Sequence, residues 1–253
     1  MNIEAIRAFN DNYIWAICSK DKAAVVDPGD AVPVINFLHS KNLHIVSIII
    51  THHHADHVGG IRSLKSAFPN AKVYGPAKER ISMVDVSLQQ DDEVDLNELG
   101  SYKVLDVPGH TAGHIAYYGE GSLFIGDTVF ACGCGRLFEG SPAQMVSSFD
   151  KIRQLPLNTR IYCAHEYTLS NIKFARAVDP DNTDLIQREK DAAALRRKNL
   201  ATVPFTLEEE LKTNPFFGYE RAEIRLAASR QSGIKNPDSV GTFTAIRKWK
   251  DSF

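Results

Sequence analysis

Apolar residues fall in short blocks along the first two thirds of the chain and at helical intervals along the last third. Ala23-Ala24-Val25-Val26 is a brief apolar run that ends in the turn signal Asp27-Pro28-Gly29, and residues 33–40 then carry helical spacing. Residues 44–50 predict a second strand, residues 61–68 a short helix behind the pair Gly59-Gly60, and residues 73–76 a third strand. The acidic stretch 90–98 predicts a solvated loop. Residues 102–107 and 115–118 predict strands flanking the turn Pro108-Gly109-His110-Thr111, residues 122–125 a strand running into Gly126-Asp127, and residues 160–165 a strand that closes on His165. Beyond it the pattern turns helical. Asn182-Thr183 caps a helix to about residue 199, Thr206-x-x-Glu209 is a capping box for one that stops before Pro215, and residues 221–232 and 239–253 make two more.

Alternating strand and helix signals followed by a helical tail predict an α/β chain, and 253 residues with 43% hydrophobic content suffice for a substantial core. A formal charge of −2 argues against wholesale binding to nucleic acid or to a membrane. No stretch approaches the roughly 18 apolar residues of a membrane span, and Met1-Asn2-Ile3-Glu4 lacks the basic and apolar regions of a signal peptide, so the expected location is the cytoplasm. Cys18, Cys132, Cys134 and Cys163 are expected to be reduced thiols: a chain of this size does not need disulfides, and Cys132-x-Cys134 has no second pair to complete a zinc site.

Chemistry concentrates in Thr51-His52-His53-His54-Ala55-Asp56-His57, directly behind an apolar strand. Imidazole and carboxylate together suit zinc, iron or manganese. Even spacing along an extended segment sets His52 and His54 on one side and His53 on the other, and the following turn carries Asp56 and His57 to a different face. Three further apolar runs end in potential ligands: His110, Asp127 and His165. His110 then completes a triad with His52 and His54, His165 a triad with Asp56 and His57, and Asp127 is placed as a bridge between two ions about 3.5–4 Å apart. His39 and His44 read as surface residues, and His114 either orients a ligand or serves the turn.

The pattern Thr51-His52-x-His54-x-Asp56-His57-x-x-Gly60, with Pro108-Gly109-His110-Thr111, Gly126-Asp127 and Ala164-His165, resembles the metallo-β-lactamase superfamily. That resemblance implies a four-layer αβ/βα sandwich over residues 1–165 with a binuclear metal site. Cys134-Gly135-Arg136-x-Phe138-Glu139-Gly140, His165-Glu166-Tyr167-Thr168, Asn214-Pro215-Phe216 and Arg247-x-x-Lys250-Asp251-x-Phe253 are similar to the glyoxalase II family, which implies a glutathione-binding helical domain over residues 166–253. The likeness places substrate contacts at Arg136, Phe138, Tyr167, Arg247 and Lys250. Arg136 stands where lysine is common and Phe138 where tyrosine is common, which exchanges a point donor for a planar fork and removes a hydroxyl.

The implied reaction is hydrolysis of S-D-lactoylglutathione and other 2-hydroxyacyl-glutathiones to glutathione and D-lactate, the second step of methylglyoxal detoxification. A metal-bridged hydroxide oriented by Asp56 would carry it, with Asp127 as the shared ligand. Zinc is the first expectation for the two ions, with iron or manganese as alternatives, and a monomer without nucleic-acid or membrane partners is the expected working form. Rival readings within the superfamily are an RNA-processing phosphodiesterase, for which the chain shows no basic extension, and an iron redox enzyme. A non-catalytic metal-binding module is the rival from outside it. Closed structural zinc sites use four protein ligands each, and this set leaves room for water.

Overall fold

The structure, a computed structural model, describes all 253 residues. Contacts divide the chain into two compact units, Met1–Asp106 with Ala112–Gly126, and Val107–Thr111 with Asp127–Phe253.

The first unit contains β1 (Asn2–Ala8), β2 (Asn12–Ser19), β3 (Lys22–Val26), α1 (Ala31–Lys41), β4 (His44–Ile49), α2 (Ala55–Val58), α3 (Ile61–Ala67), β5 (Lys72–Pro76), β6 (Val86–Leu88), β7 (Glu93–Asp95), β8 (Ser101–Asp106), β9 (Ile115–Gly119) and β10 (Ser122–Gly126). Strands β1 to β6 form one sheet in sequence order. The pairings β1–β2 and β2–β3 are antiparallel, and those from β3 through β6 are parallel. Strands β7 to β10 form an antiparallel meander. Val25, Ile48 and Val73 on adjacent parallel strands are fully buried and pack with Val34 and Leu38 of α1 and Leu64 of α3. Helix α1 starts where the Asp30 carboxylate accepts the Val32 N–H at 2.9 Å and stops at Asn42, whose left-handed backbone (φ 53°) returns its N–H to the carbonyls of Leu38 and His39. The expectation of a loop over residues 90–98 is corrected. Val94 is buried at the centre of β7, which pairs with β8, and a single 3₁₀ turn follows at Asn97–Leu99, so the acidic residues around Val94 occupy the solvent side of an edge strand.

The second unit contains β11 (Val129–Phe130), β12 (Gly133–Cys134), α4 (Pro142–Ile152), β13 (Arg160–Cys163), α5 (Thr168–Val178), α6 (Thr183–Arg197), β14 (Phe205–Thr206), α7 (Leu207–Thr213), α8 (Ala222–Ser232) and α9 (Ser239–Asp251). Asn182 caps α6, and Thr206 with Glu209 forms the expected capping box of α7. Compactness divides the chain at Gly126 and Asp127, earlier than the 165/166 boundary drawn from motifs, because α4 packs into the same aromatic core as the helical tail. The Phe149 ring of α4 lies 4.4 Å from Phe217 and 5.8 Å from Phe243, and Phe216 sits 5.4 Å from Phe243 and 6.1 Å from Phe174. No helix in the chain is long and apolar enough to cross a membrane.

Candidate metal centre and substrate cavity

In the first unit, β4 leads through buried Ile50 and Thr51 to His52 and His54, and the single turn of α2 carries Asp56 and His57. The arrangement rests on Asp27. Its buried carboxylate accepts the Thr51 N–H and hydroxyl, each at 2.7 Å, and lies 3.1 Å from His57 Nδ1. His57 Nε2 lies 3.6 Å from the Asp56 carboxylate. The Thr51 hydroxyl, having donated to Asp27, accepts from His52 Nδ1 at 3.0 Å, which leaves the His52 Nε2 lone pair 3.1 Å from His54 Nδ1. Asn12 donates to Asp56 Oδ2 at 2.9 Å. His114 is buried with its ring stacked on His52, centroids 4.5 Å apart, so it fixes that imidazole's plane. Gly29 is required beneath α2, since a Cβ there would stand 1.8 Å from the Asp56 carbonyl oxygen.

In the second unit, His110 and His165 converge on Asp127: their Nε2 atoms lie 3.5 Å and 3.4 Å from Asp127 Oδ2. His110 Nδ1 donates to the Arg136 carbonyl at 2.8 Å, so its Nε2 turns a lone pair toward a carboxylate. The His165 ring is held flat against Tyr167, with centroids 4.7 Å apart and planes within 4°. Gly135 is required here, because a Cβ would meet the Asp127 carbonyl oxygen at 2.0 Å and His110 Nδ1 at 2.9 Å.

In the second unit the His110 Nε2 lone pair faces a carboxylate oxygen, and in the first the two buried His57 nitrogens lie 3.1 Å and 3.6 Å from carboxylates. A lone pair facing a carboxylate is repulsive until a cation enters, and the nitrogen and oxygen donors fit a divalent transition-metal ion. His110 has its outer nitrogen tied to an oxygen acceptor, as metal-ligating histidines do, and His57 Nδ1 lies 3.1 Å from the Asp27 carboxylate.

His110 and Asp127 also line a cavity of about 580 Å³ inside the second unit, together with Phe130, Arg136, Phe138, Tyr167, Lys173, Phe174, Arg247 and Lys250. All five substrate positions implied by the resemblance therefore border one space. Their exposures differ: Phe138 is 62% exposed and Arg247 only 4%. The Arg247 guanidinium donates to the Cys134 carbonyl at 2.9 Å and to Asp251 at 2.8 Å. Lys250 donates to Asn171 Oδ1, and burial, reinforced by the neighbouring Arg247 charge, pushes its ammonium down to about 8.

His53 turns to Glu79, at 2.9 Å, and His39 and His44 are exposed. The four cysteines are free and buried, and burial pushes the thiols of Cys18, Cys132, Cys134 and Cys163 up, which keeps them protonated. Sequence reasoning missed the roles of Asp27, Asn12 and Thr51. Asp27 was visible only as a turn residue, although its place at the end of an apolar strand is the same signal that marked Asp127. Lys173 was missed because nothing in a helical pattern distinguishes one cation from its neighbours.

Residues 8–165 match the family model described as the metallo-beta-lactamase superfamily, and residues 166–253 match the one described as the hydroxyacylglutathione hydrolase C-terminus. Curated proteins named hydroxyacylglutathione hydrolase are similar along the whole chain. That of Nitrosomonas eutropha is 48% identical, covering 100% of this chain and 99% of its own, and that of Vibrio campbellii is 48% identical with both chains fully covered. The protein of that name from Alkalilimnicola ehrlichii is 50% identical over 98% of each chain. Among solved structures, ETHE1 from Myxococcus xanthus shares the fold with a TM-score of 0.69 at 22% identity, covering 98% of this chain and 90% of its own. The BLEG-1 B3 metallo-beta-lactamase does so with a TM-score of 0.65 at 21% identity, covering 85% and 99%. With both family models matched end to end and relatives near half identical over full length, the chain belongs to the hydroxyacylglutathione hydrolase (glyoxalase II) family, on the metallo-β-lactamase fold.

Proposed function

We propose that the chain hydrolyses the thioester of S-D-lactoylglutathione and related 2-hydroxyacyl-glutathiones, releasing glutathione and D-lactate. We assign His52, His54 and His110 to one divalent ion, Asp56, His57 and His165 to a second, and Asp127 to both. Such ions supply an activated water and polarise the scissile carbonyl when bound. The protein's part is orientation. Asp27 and the Arg136 carbonyl hold the rings of His57 and His110, and Asn12 holds one oxygen of Asp56, whose carboxylate is suited to accept a hydrogen bond from the attacking water. The leaving thiolate is a weak base and needs no dedicated acid.

The observation that carries the substrate class is the cavity of the second unit. His110 and Asp127 stand on its wall together with the cations Arg136, Lys173, Arg247 and Lys250 and the rings of Phe130, Phe138, Tyr167 and Phe174. Its volume lies within the range of small-molecule sites. Glutathione brings two carboxylates for the cations and an extended peptide for the rings. In this reading residues 1–165 supply the metal ligands, residues 166–253 supply most of the glutathione contacts, and a single chain works in the cytoplasm with zinc as the first choice of ion and iron or manganese as the others. The test is release of free thiol from S-D-lactoylglutathione by protein of known metal content, beside elemental analysis of protein made without added metal. A preparation that holds two ions per chain and releases no thiol overturns the substrate assignment.

Lys250 makes the reaction pH-dependent. It faces Arg247, Asp251, Asn171 and Cys134, with Lys173 on the same cavity wall, and it loses its charge as the pH rises through about 8. KM for the anionic substrate should therefore rise severalfold between about pH 7 and 9, with the change absent from Lys250→Met. A KM that stays flat in the parent protein across that interval removes Lys250 from substrate binding.

A further inference from the structure

The run His165-Glu166-Tyr167-Thr168 holds two residues that the site described above does not use, Glu166 and Thr168. It leaves β13 and opens α5, and its residues divide between two sides. His165 lies against Asp127 and Tyr167 lines the cavity, with the two rings stacked at 4.7 Å and within 4°. Phe130 of the β11–β12 hairpin stands edge-on to both, 5.7 Å from His165 and 5.2 Å from Tyr167.

Glu166, whose side chain is only 7% exposed, is engaged by the link between α6 and β14, residues 198–204. Its Oε2 accepts the Thr202 N–H at 2.9 Å and its Oε1 the Thr202 hydroxyl at 2.5 Å. Arg196, near the end of α6, lies 3.5 Å from Oε2 and donates to the Leu200 carbonyl at 2.8 Å, so one guanidinium joins the carboxylate to the link. The Thr202 hydroxyl is also 2.5 Å from that of Thr168, the buried first residue of α5. Thr168 and Thr202 border a second cavity, of about 360 Å³, which shares no lining residue with the one that Tyr167 borders.

This clasp grips the backbone at a sensitive place. Side chains alternate as the chain leaves a strand, so an anchored Glu166 fixes the direction in which both its neighbours project. No side chain caps α5 at Tyr167, and the contacts of Glu166 and Thr168 with Thr202 hold the head of that helix instead. Helix α5 then carries Asn171, Lys173 and Phe174 to the cavity wall.

We infer that Glu166 is a positioning residue: with Thr202 and Arg196 it ties the α6–β14 link to the backbone between a metal ligand and a substrate contact, and so sets the stack of His165 on Tyr167. The roles of those two rings rest on the thioesterase reading. The clasp rests on this chain's own hydrogen bonds.

The test has one readout apart from turnover and one within it. Zinc-loaded parent, Glu166→Ala, Glu166→Gln and Thr202→Val are titrated with a competing chelator, each under conditions where urea unfolding shows it folded. Glu166→Ala should weaken retention of zinc by roughly tenfold, the lower end of the range for groups that orient a ligand from behind. Glu166→Gln, which keeps the shape and one acceptor oxygen, should recover part of that loss. Thr202→Val, which removes the hydroxyl and keeps the N–H, should cost roughly threefold, the scale of one hydrogen bond. Turnover of lactoylglutathione is then compared for Glu166→Ala, Tyr167→Leu and the double variant at equal metal content. If both changes disturb one stack, their effects on kcat/KM combine to less than the product of the two factors. Zinc retention unchanged in Glu166→Ala overturns the inference, and so do factors that simply multiply. If the parent hydrolyses no thioester, the functional reading fails and zinc retention alone decides the clasp. If Glu166→Ala does not fold, Glu166→Gln and Thr202→Val carry the same comparisons.

Discussion

Alanine in place of Asp127 is expected to abolish loading of two ions per chain and to lower thioester turnover by roughly 10²- to 10³-fold, the scale seen when one preorganised charged group is removed from a reacting centre. The reason lies in the second unit. Both His110 Nε2 and His165 Nε2 face the same carboxylate oxygen, at 3.5 Å and 3.4 Å, so Asp127 is the one negative charge on which two imidazoles of this unit converge. Without it their lone pairs face a gap, and any cation held there would lose the charge that offsets its desolvation. Elemental analysis of dialysed protein reads the loading directly, apart from activity. Two ions per chain with undiminished turnover in Asp127→Ala would remove the bridging role. Asp127→Glu tests reach: the same charge one methylene longer should restore part of the loading without restoring full activity.

The largest effect on stability is expected at Glu210. Its carboxylate is fully buried, 2.6 Å from Arg188, and it also accepts from Asn214 at 2.7 Å and from Cys132 N–H. Burial pushes the Glu210 carboxyl up, and Arg188, Asn214 and the Cys132 N–H oppose that shift. Glu210→Ala leaves the largely buried Arg188 guanidinium without its counter-charge and the Cys132 N–H without its acceptor, and should cost about 3–5 kcal/mol in urea unfolding at neutral pH. The comparison with Arg188→Met/Glu210→Ala separates charge from packing. Removing both charges should recover part of the loss, because the isolated guanidinium is the costly species. A single Glu210→Ala variant within about 1 kcal/mol of the parent would show that the pair is no more than neutral in this core.

Much of the fold was legible because most segments carry one dominant signal. Helix α6 has its Asn182 cap, α7 its Thr206 and Glu209 box, and β4 an apolar run that ends on the histidine tract. Elements without such a signal passed unread. Strand β2 is apolar along Tyr13 to Cys18 and buried on both faces, so it shows neither a period of two nor one of 3.6. Helix α5 has no side-chain cap at Tyr167, and α4, despite its Ser141 and Gln144 capping box and Pro142, follows a glycine-rich stretch that reads as loop. The acidic edge strand β7 was masked by charges that solvate its outer face while Val94 anchors the inner one.

The candidate ligands were legible for a different reason. A metal needs particular atoms, and His, Asp and their spacing are written in the chain, so His52, His54, Asp56, His57, His110, Asp127 and His165 could all be named before any coordinates. What supports those ligands could not. Asp27 reaches Thr51 and His57 across 24 and 30 positions of sequence, His114 stacks on His52, and Arg136 holds His110 through a carbonyl, a group that every residue possesses. Arg247 shows the same limit. A motif can mark it as important, but which of its nitrogens meets a backbone oxygen depends on how α9 packs against the hairpin. Sequence by itself thus determined the kind of chemistry, since side-chain type sets what an atom can bind. The tertiary structure alone decided which groups orient which, because hydrogen bonds between distant segments are chosen by packing and leave no pattern along the chain.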